Sequence, residues 1–216
     1  MQACGQQATE VNLCHDRLVE ASTTTAAIVA GGRARRFAGQ DKSRLVVEGR
    51  TIIVRQVDVL QRVAGRVFVV GHASEPFASL NLPTYPDRIP GAGALRGIYT
   101  ALTVDGPDAV LVVACDMPFL DAAMLARLVA MSEGRHGAWV RTARGVEPLL
   151  ACYRRHAAPL IRAELDVGRM KAGAIGRVLN MAEMTEDIVA EFGPPERLLT
   201  NLNSPADYAR VVQHDV

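Results

Sequence analysis

Residues 109–115 read Ala-Val-Leu-Val-Val-Ala-Cys, a run without a single polar side chain. A strand with one face in water alternates polar and apolar residues; Leu111, Val112 and Val113 leave no polar side. The stretch 110–114 is therefore predicted to be a strand covered on both faces. The run is far too short to cross a bilayer. A strand of this kind demands helices above and below a sheet, and that demand shapes the reading of everything around it.

The surrounding pattern supplies those helices. Ala26-Ala27-Ile28-Val29-Ala30 is another short apolar run, ending on Gly31-Gly32 as a buried strand entering a loop. Ile52, Ile53, Val57, Leu60 and Val63 follow at helical spacing, with Thr51 as a candidate N-cap. Residues 66–70 and 84–85 read as strands, 95–102 as a helix. Asp121 is placed to cap the helix carrying Met124, Leu125, Leu128 and Val129. Strands are predicted again at 138–140 and 149–153, and helices at 155–166, 172–180 and 204–213, the last behind Ser204-Pro205. Alternation of strand and helix through the first 130 residues predicts a three-layer α/β fold. Its central sheet is mostly parallel, with helices on both faces. Ligands in such folds bind outside the carboxyl ends of the strands.

The chain has 216 residues, which suits one domain; residues 25–216 are expected to form it. Residues 1–24 carry mixed polar residues, end in Ser22-Thr23-Thr24, and are expected to be a poorly ordered extension. A net charge of +1 gives no global field for nucleic acid or a membrane, so attraction for anions must be local. The cysteines at 4, 14, 115 and 152 form no C-x-x-C pair. With no signal-peptide pattern visible, a reducing cytoplasm is the expected location.

The local attraction is found after the first strand. Arg33, Arg35, Arg36, Lys42 and Arg44 stand against the single anion Asp41, on a loop with glycines at 31, 32 and 39. Glycines let the backbone approach a ligand closely, backbone N–H groups can cradle phosphates, and the cations offset their charge. The alternative is a solvated basic loop. No G-x-x-x-x-G-K-[ST] is present, and Gly91-Ala92-Gly93-Ala94-Leu95-Arg96-Gly97 misses the dinucleotide fingerprint by one residue. The second chemical feature is Asp116, directly after the apolar run. A carboxylate there is a hard oxygen ligand at the functional end of the sheet, suited to Mg²⁺; its alternative is to cap the next helix, a job Asp121 is better placed to do.

Gly31-Gly32-x-x-x-Arg36-Phe37 leading to Asp41-Lys42 resembles the signature loop of the MobA-type guanylyltransferases and, more broadly, of the sugar-nucleotide and cytidylyltransferase superfamily, whose Rossmann-like nucleotidyltransferase fold it implies. The resemblance runs over residues 26–212 in several separated motifs. It implies transfer of GMP from GTP to the phosphate of molybdopterin, with Asp116, in Cys115-Asp116-Met117-Pro118, holding Mg²⁺. Arg36 and Lys42 are implied to offset triphosphate charge, and Val29, Ala30, Gly31, Gly32, Asp87 and Gly93 to contact the nucleotide. Ala94 stands where the family usually has proline, and His72 where it commonly has asparagine. Glu147-Pro148-Leu149 resembles the segment beside the second substrate, Arg169 and Lys171 a nearby basic segment, and Asn201-Leu202-Asn203 the family's asparagine pair close to the C-terminus. As isolated features, the Glu147-Pro148 segment and Arg169 with Lys171 are more often surface charges, and Asn203 or Ser204 a helix cap. Transient contact with molybdoenzyme maturation proteins also follows from the resemblance. The competing readings are a cytidylyltransferase acting on the pterin or on a sugar or polyol phosphate, and a non-catalytic carrier of GTP or pterin.

Overall fold

The structure is a computed structural model that describes residues 23–30, 36–37, 40–71, 75–91 and 93–213. Its strands are β1 (Thr24–Ala30), β2 (Arg36–Phe37), β3 (Gln40–Asp41), β4 (Val46–Val47), β5 (Arg50–Thr51), β6 (Arg66–Gly71), β7 (Thr84–Tyr85), β8 (Ala109–Ala114), β9 (Gly137–Thr142), β10 (Gly145–Arg154) and β11 (Met181–Thr185). The helices are α1 (Ile52–Leu60), α2 (Glu75–Ala78), α3 (Ala94–Thr103), α4 (Ala122–Met131), α5 (Ala158–Asp166), α6 (Glu186–Val189), α7 (Pro195–Leu198) and α8 (Pro205–Gln213). Seven strands form one sheet in the order β11-β9-β10-β8-β1-β6-β7. β1 runs parallel to both β8 and β6, and β7 parallel to β6. Only β10 is reversed, antiparallel to β8 and β9, while β11 is parallel to β9.

Period-two alternation assigns the side chains of the central strands to two separate cores. Ala26 and Ile28 of β1 and Leu111 and Val113 of β8 face one core, with Ile53, Val57 and Leu60 of α1 and Met124, Leu125 and Leu128 of α4. Ala27 and Val29 and Val110 and Val112 face the other, with Leu95, Ile98 and Leu102 of α3 and Ile161 and Leu165 of α5. The all-apolar run is thus covered on both sides as predicted. Residues 110–113 are fully buried, each such Val or Leu contributing about 1.5–3 kcal/mol over an exposed side chain.

Local chemistry explains several element boundaries. Asp121 accepts a hydrogen bond from the Met124 amide at 2.8 Å and caps α4. Thr51 occupies the N-cap position of α1, but its side chain makes no capping bond. The β4–β5 hairpin turns through Glu48 and Gly49, both at positive φ (49° and 74°), as a two-residue primed turn requires. At 172–180 the expected α-helix is instead a 3₁₀ segment, Ala172–Arg177. Gly173 and Gly176 weaken an α-helix there, and the Gly176 backbone lies so close to Trp139 that a Cβ would stand 2.8 Å from its ring. Ser204 and Asp207 form a reciprocal cap at the start of α8: the Ser204 amide donates to Asp207 Oδ2 at 2.8 Å, and the Asp207 amide donates to Ser204 Oγ at 3.3 Å.

Candidate active site

The two central parallel strands end together. Val29 is in register with Ala114, and the Cys115 amide donates to the Val29 carbonyl at 3.3 Å. Past Ala114 the chain leaves the sheet through Cys115 and Asp116, and nearly every carbonyl of this turn is tied down. Gln56 Nε2, on α1, donates to the carbonyls of Ala114 (2.7 Å) and Met117 (3.0 Å). Arg55 Nε donates to Pro118 at 3.1 Å. The Leu202 amide donates to the carbonyl of Asp116 itself at 3.0 Å.

That last bond carries the C-terminal segment into the site. Leu202 is fully buried beside Phe119, Ile52 and Val47. In an extended segment its two neighbours project to the opposite side, and Asn201 and Asn203 both line the cavity in front of Asp116. Glu147 and Pro148 close the cavity from β10. Pro148 has no N–H for the sheet ladder, and the β9–β10 register shifts between Glu147 and Ala151. The buried Tyr153 hydroxyl donates to the Pro148 carbonyl at 2.9 Å and holds that irregularity in place. The shift aims Glu147 at the site instead of into a regular pleat.

The cavity so formed has a volume of about 300 Å³ and includes Val29, Asp116, Glu147, Pro148, Asn201 and Asn203. Glu147, Asn201 and Asn203 also border a larger cleft of about 960 Å³ that extends to Arg144, Glu186 and Arg210. Burial holds the Glu147 carboxyl above its usual range; Arg144 pulls it down, and the negative charge of Asp116 pushes it further up. Two carboxylates sharing a partly desolvated space repel unless a cation lies between them. Asn201 and Asn203 line the same cavity, and their side-chain carbonyls with the two carboxylates offer hard oxygen donors of the kind a divalent cation takes. These residues fit such an ion.

The unfolded chain ionises Glu147 at lower pH than the folded one, so the cation-free protein loses stability as pH rises through that interval. Glu147→Gln removes the loss. We expect a small rise in the thermal midpoint of the cation-free variant at neutral pH, none at pH well below the carboxylate range, and weaker Mn²⁺ binding. The gain stays small because Glu147 is only half-buried and water screens it. Melting curves at the two pH values, with and without Mn²⁺, check this; a lower midpoint at neutral pH without cation contradicts it.

Ala30 ends β1 in register with Gly71. Gly31 and Gly32, and the side chains of Arg36 and Lys42, lie outside the described residues. Asp87 is half-buried after β7 and borders neither cavity, and Gly93 sits at the N-cap position of α3 with φ 136°. Arg169 donates to the buried Glu164 at 3.1 Å, a partner it shares with Arg177. Neither Arg169 nor the exposed Lys171 borders the two cavities. Among the described residues, Arg144 and Arg210 are the cations that border the larger cleft, and sequence reasoning passed over both. The hairpin turn at Gly145, between two predicted strands, was a signal for Arg144. Gln56 was also passed over, although a glutamine four residues after Ile52 and four before Leu60 breaks an apolar helical stripe.

A mostly parallel sheet with carboxylates and amides gathered beyond the carboxyl ends of its central strands is the arrangement of α/β nucleotide-handling enzymes. The family model of the MobA-like NTP transferase domain matches residues 26–183; the chain belongs to this family and is a nucleotidyltransferase. It is 33% identical over 195 residues to a probable molybdenum cofactor guanylyltransferase of Carboxydothermus hydrogenoformans, covering 88% of this chain and 95% of that protein. It is 29% identical over 181 residues to the molybdenum cofactor guanylyltransferase of Desulfosudis oleivorans, covering 83% and 90%. Among solved structures it resembles molybdopterin-guanine dinucleotide biosynthesis protein A of Archaeoglobus fulgidus, with a TM-score of 0.73 at 23% identity over 88% of this chain and 97% of that one. Among the described residues no helix is long and apolar enough to cross a membrane.

Proposed function

We propose that this nucleotidyltransferase transfers GMP from GTP to the phosphate of molybdopterin, releasing pyrophosphate and forming the guanine dinucleotide form of the cofactor. The observation that carries the reading is the meeting of Asp116, Glu147, Asn201 and Asn203 in one cavity that continues into a larger cleft. One compartment suits the reacting phosphates and the other a second substrate of pterin size. The names of the curated relatives support the same reaction.

A phosphate oxygen of the pterin attacks the α-phosphorus of GTP, and the bond from that phosphorus to the pyrophosphate oxygen breaks. The nucleophile is already an anion, so the chain needs no general base and works by positioning and charge neutralisation. Asp116, with Glu147 beside it, would hold Mg²⁺, which when bound offsets charge on the phosphates. Arg36 and Lys42 serve the triphosphate from the loop after β1. Val29, Ala30, Gly31, Gly32, Asp87 and Gly93 belong to the nucleotide side. Asn201 and Asn203 orient phosphate oxygens through their amides, and Glu147-Pro148 forms the border with the pterin side. Arg169 and Lys171, placed outside both cavities, are weaker candidates for the pterin phosphate than Arg144. Residues 25–216 act as one catalytic unit in this reading, in the cytoplasm, without nucleic acid or membrane.

Titration calorimetry with Mg²⁺ present, GTP and CTP in parallel, tests the choice of base. Binding of GTP at least tenfold tighter than CTP is expected. The opposite order moves the chain to cytidylyl transfer with the same fold and site.

A further inference from the structure

Gln56 is 1% exposed and lies in the core-facing stripe of α1, where an apolar residue would pack without polar cost. Its Nε2 spends both protons on carbonyls that flank Asp116, those of Ala114 and Met117. Its Oε1 meets no donor among the described residues. Keeping an amide at such a position costs free energy, and the two carbonyls are what it serves. They are 58 and 61 residues away in sequence, on the turn that presents Asp116 to the cavity. Arg55, the preceding residue, holds the next carbonyl of the same turn. We infer that Gln56 is a positioning residue for this nucleotidyltransferase: its amide fixes the Ala114–Met117 turn and so the direction in which Asp116 meets the cation and nucleotide.

A glutamine suits this task for a geometric reason. One NH₂ group offers two donors at a fixed angle, so one side chain can bridge two carbonyls of a tight turn. A carboxylate there would face both carbonyls with acceptors only, and a methionine would fill the space and leave both carbonyls unpaired. The inference rests on Asp116 carrying the cation, and the test separates the two ideas.

The experiment compares wild type, Gln56→Met and Asp116→Asn. Mn²⁺ is titrated into each protein without nucleotide and bound Mn²⁺ is read by its EPR signal, beside steady-state kinetics in saturating Mg²⁺. Loss of a partner that orients a metal ligand typically costs about 10–100-fold in metal affinity or activity. For Gln56→Met we expect a loss of this size in Mn²⁺ affinity and in kcat, with the KM for GTP changed less than threefold. A packing role alone would lower the melting point and leave the affinity of the folded fraction unchanged. That result, with Asp116→Asn losing Mn²⁺, overturns the role of Gln56 and leaves the cation site standing. Unchanged Mn²⁺ affinity in Asp116→Asn overturns both. Should Gln56→Met fail to fold, the wild type still decides the matter by ¹⁵N NMR. The Gln56 side-chain amide protons are expected to be protected from exchange and to shift on adding Mg²⁺ with GTP. Fast exchange and unmoved signals overturn the proposal.

Discussion

Replacing Asp116 by asparagine is expected to lower turnover by about 10²–10³-fold at saturating GTP, the usual cost of removing one preorganised electrostatic contact from a transition state. The fold is expected to survive this change. The bonds that hold the turn run to backbone carbonyls at 114, 116, 117 and 118, and asparagine leaves all of them intact. It also removes the charge that pushes the Glu147 carboxyl upward. The cation-free variant should therefore melt at or slightly above the wild-type midpoint while losing Mn²⁺ affinity. Kinetics at saturating substrate, with melting curves on the same preparation, read both sides of this prediction. A variant with near-normal turnover removes Asp116 from the chemistry. A variant that has merely unfolded would show it in the melting curve.

Gly71→Val has the largest expected effect on stability. Gly71 ends β6 at φ 142°, a conformation that favours glycine, and a Cβ built there stands 2.6 Å from the Ala30 carbonyl oxygen and 3.0 Å from its carbon. The obstacle is backbone at the end of the central strand, not a side chain that can swing away. Backbone strain of this kind costs about 1–3 kcal/mol, and forcing extra volume into a packed site about 1–3 kcal/mol more. For a chain of this length that lowers the melting midpoint by roughly 5–20 °C. The damage reaches function because Ala30 is the residue from which the glycine-rich loop departs. The fraction that folds should show a raised KM for GTP with a smaller change in kcat. A midpoint within 2 °C of wild type contradicts the reading of this contact.

The sheet's centre was legible in the sequence because buried parallel strands announce themselves as unbroken apolar runs. β1, β6 and β8, and the helices α1, α3 and α4, stand where the periodicity put them. The edges were harder to read. β11 reads Met-Ala-Glu-Met-Thr and gains its strand character from pairing with β9, a tertiary effect that local pattern does not carry. The short helices α6 and α7 carry too few residues for a periodic signal.

The candidate site divides the same way. Asp116 could be singled out as a candidate because its position after the strongest strand has a meaning in any open α/β sheet. That Glu147 and Asn201 share its cavity follows from the Pro148 irregularity and the Leu202 bond, contacts between segments distant in sequence. Arg169 shows the converse. A basic residue in a suggestive segment proved to be paired with the buried Glu164, a carboxylate whose burial the sequence did not reveal. Gln56 left a visible mark as a polar residue within an apolar stripe, but its partners appear only once α1 is laid against the Asp116 turn.

Nucleotidyl transfer from GTP to a pterin phosphate is read by following the α-phosphate. The protein is incubated with Mg²⁺, molybdopterin and GTP labelled at the α-phosphorus, with CTP so labelled in a parallel reaction, and the products are separated. Label is expected in a pterin dinucleotide from GTP, with one pyrophosphate released per product, and both are expected to be lost in Asp116→Asn. Label transferred from CTP alone, or GTP bound without pyrophosphate release, would contradict nucleotidyl transfer from GTP.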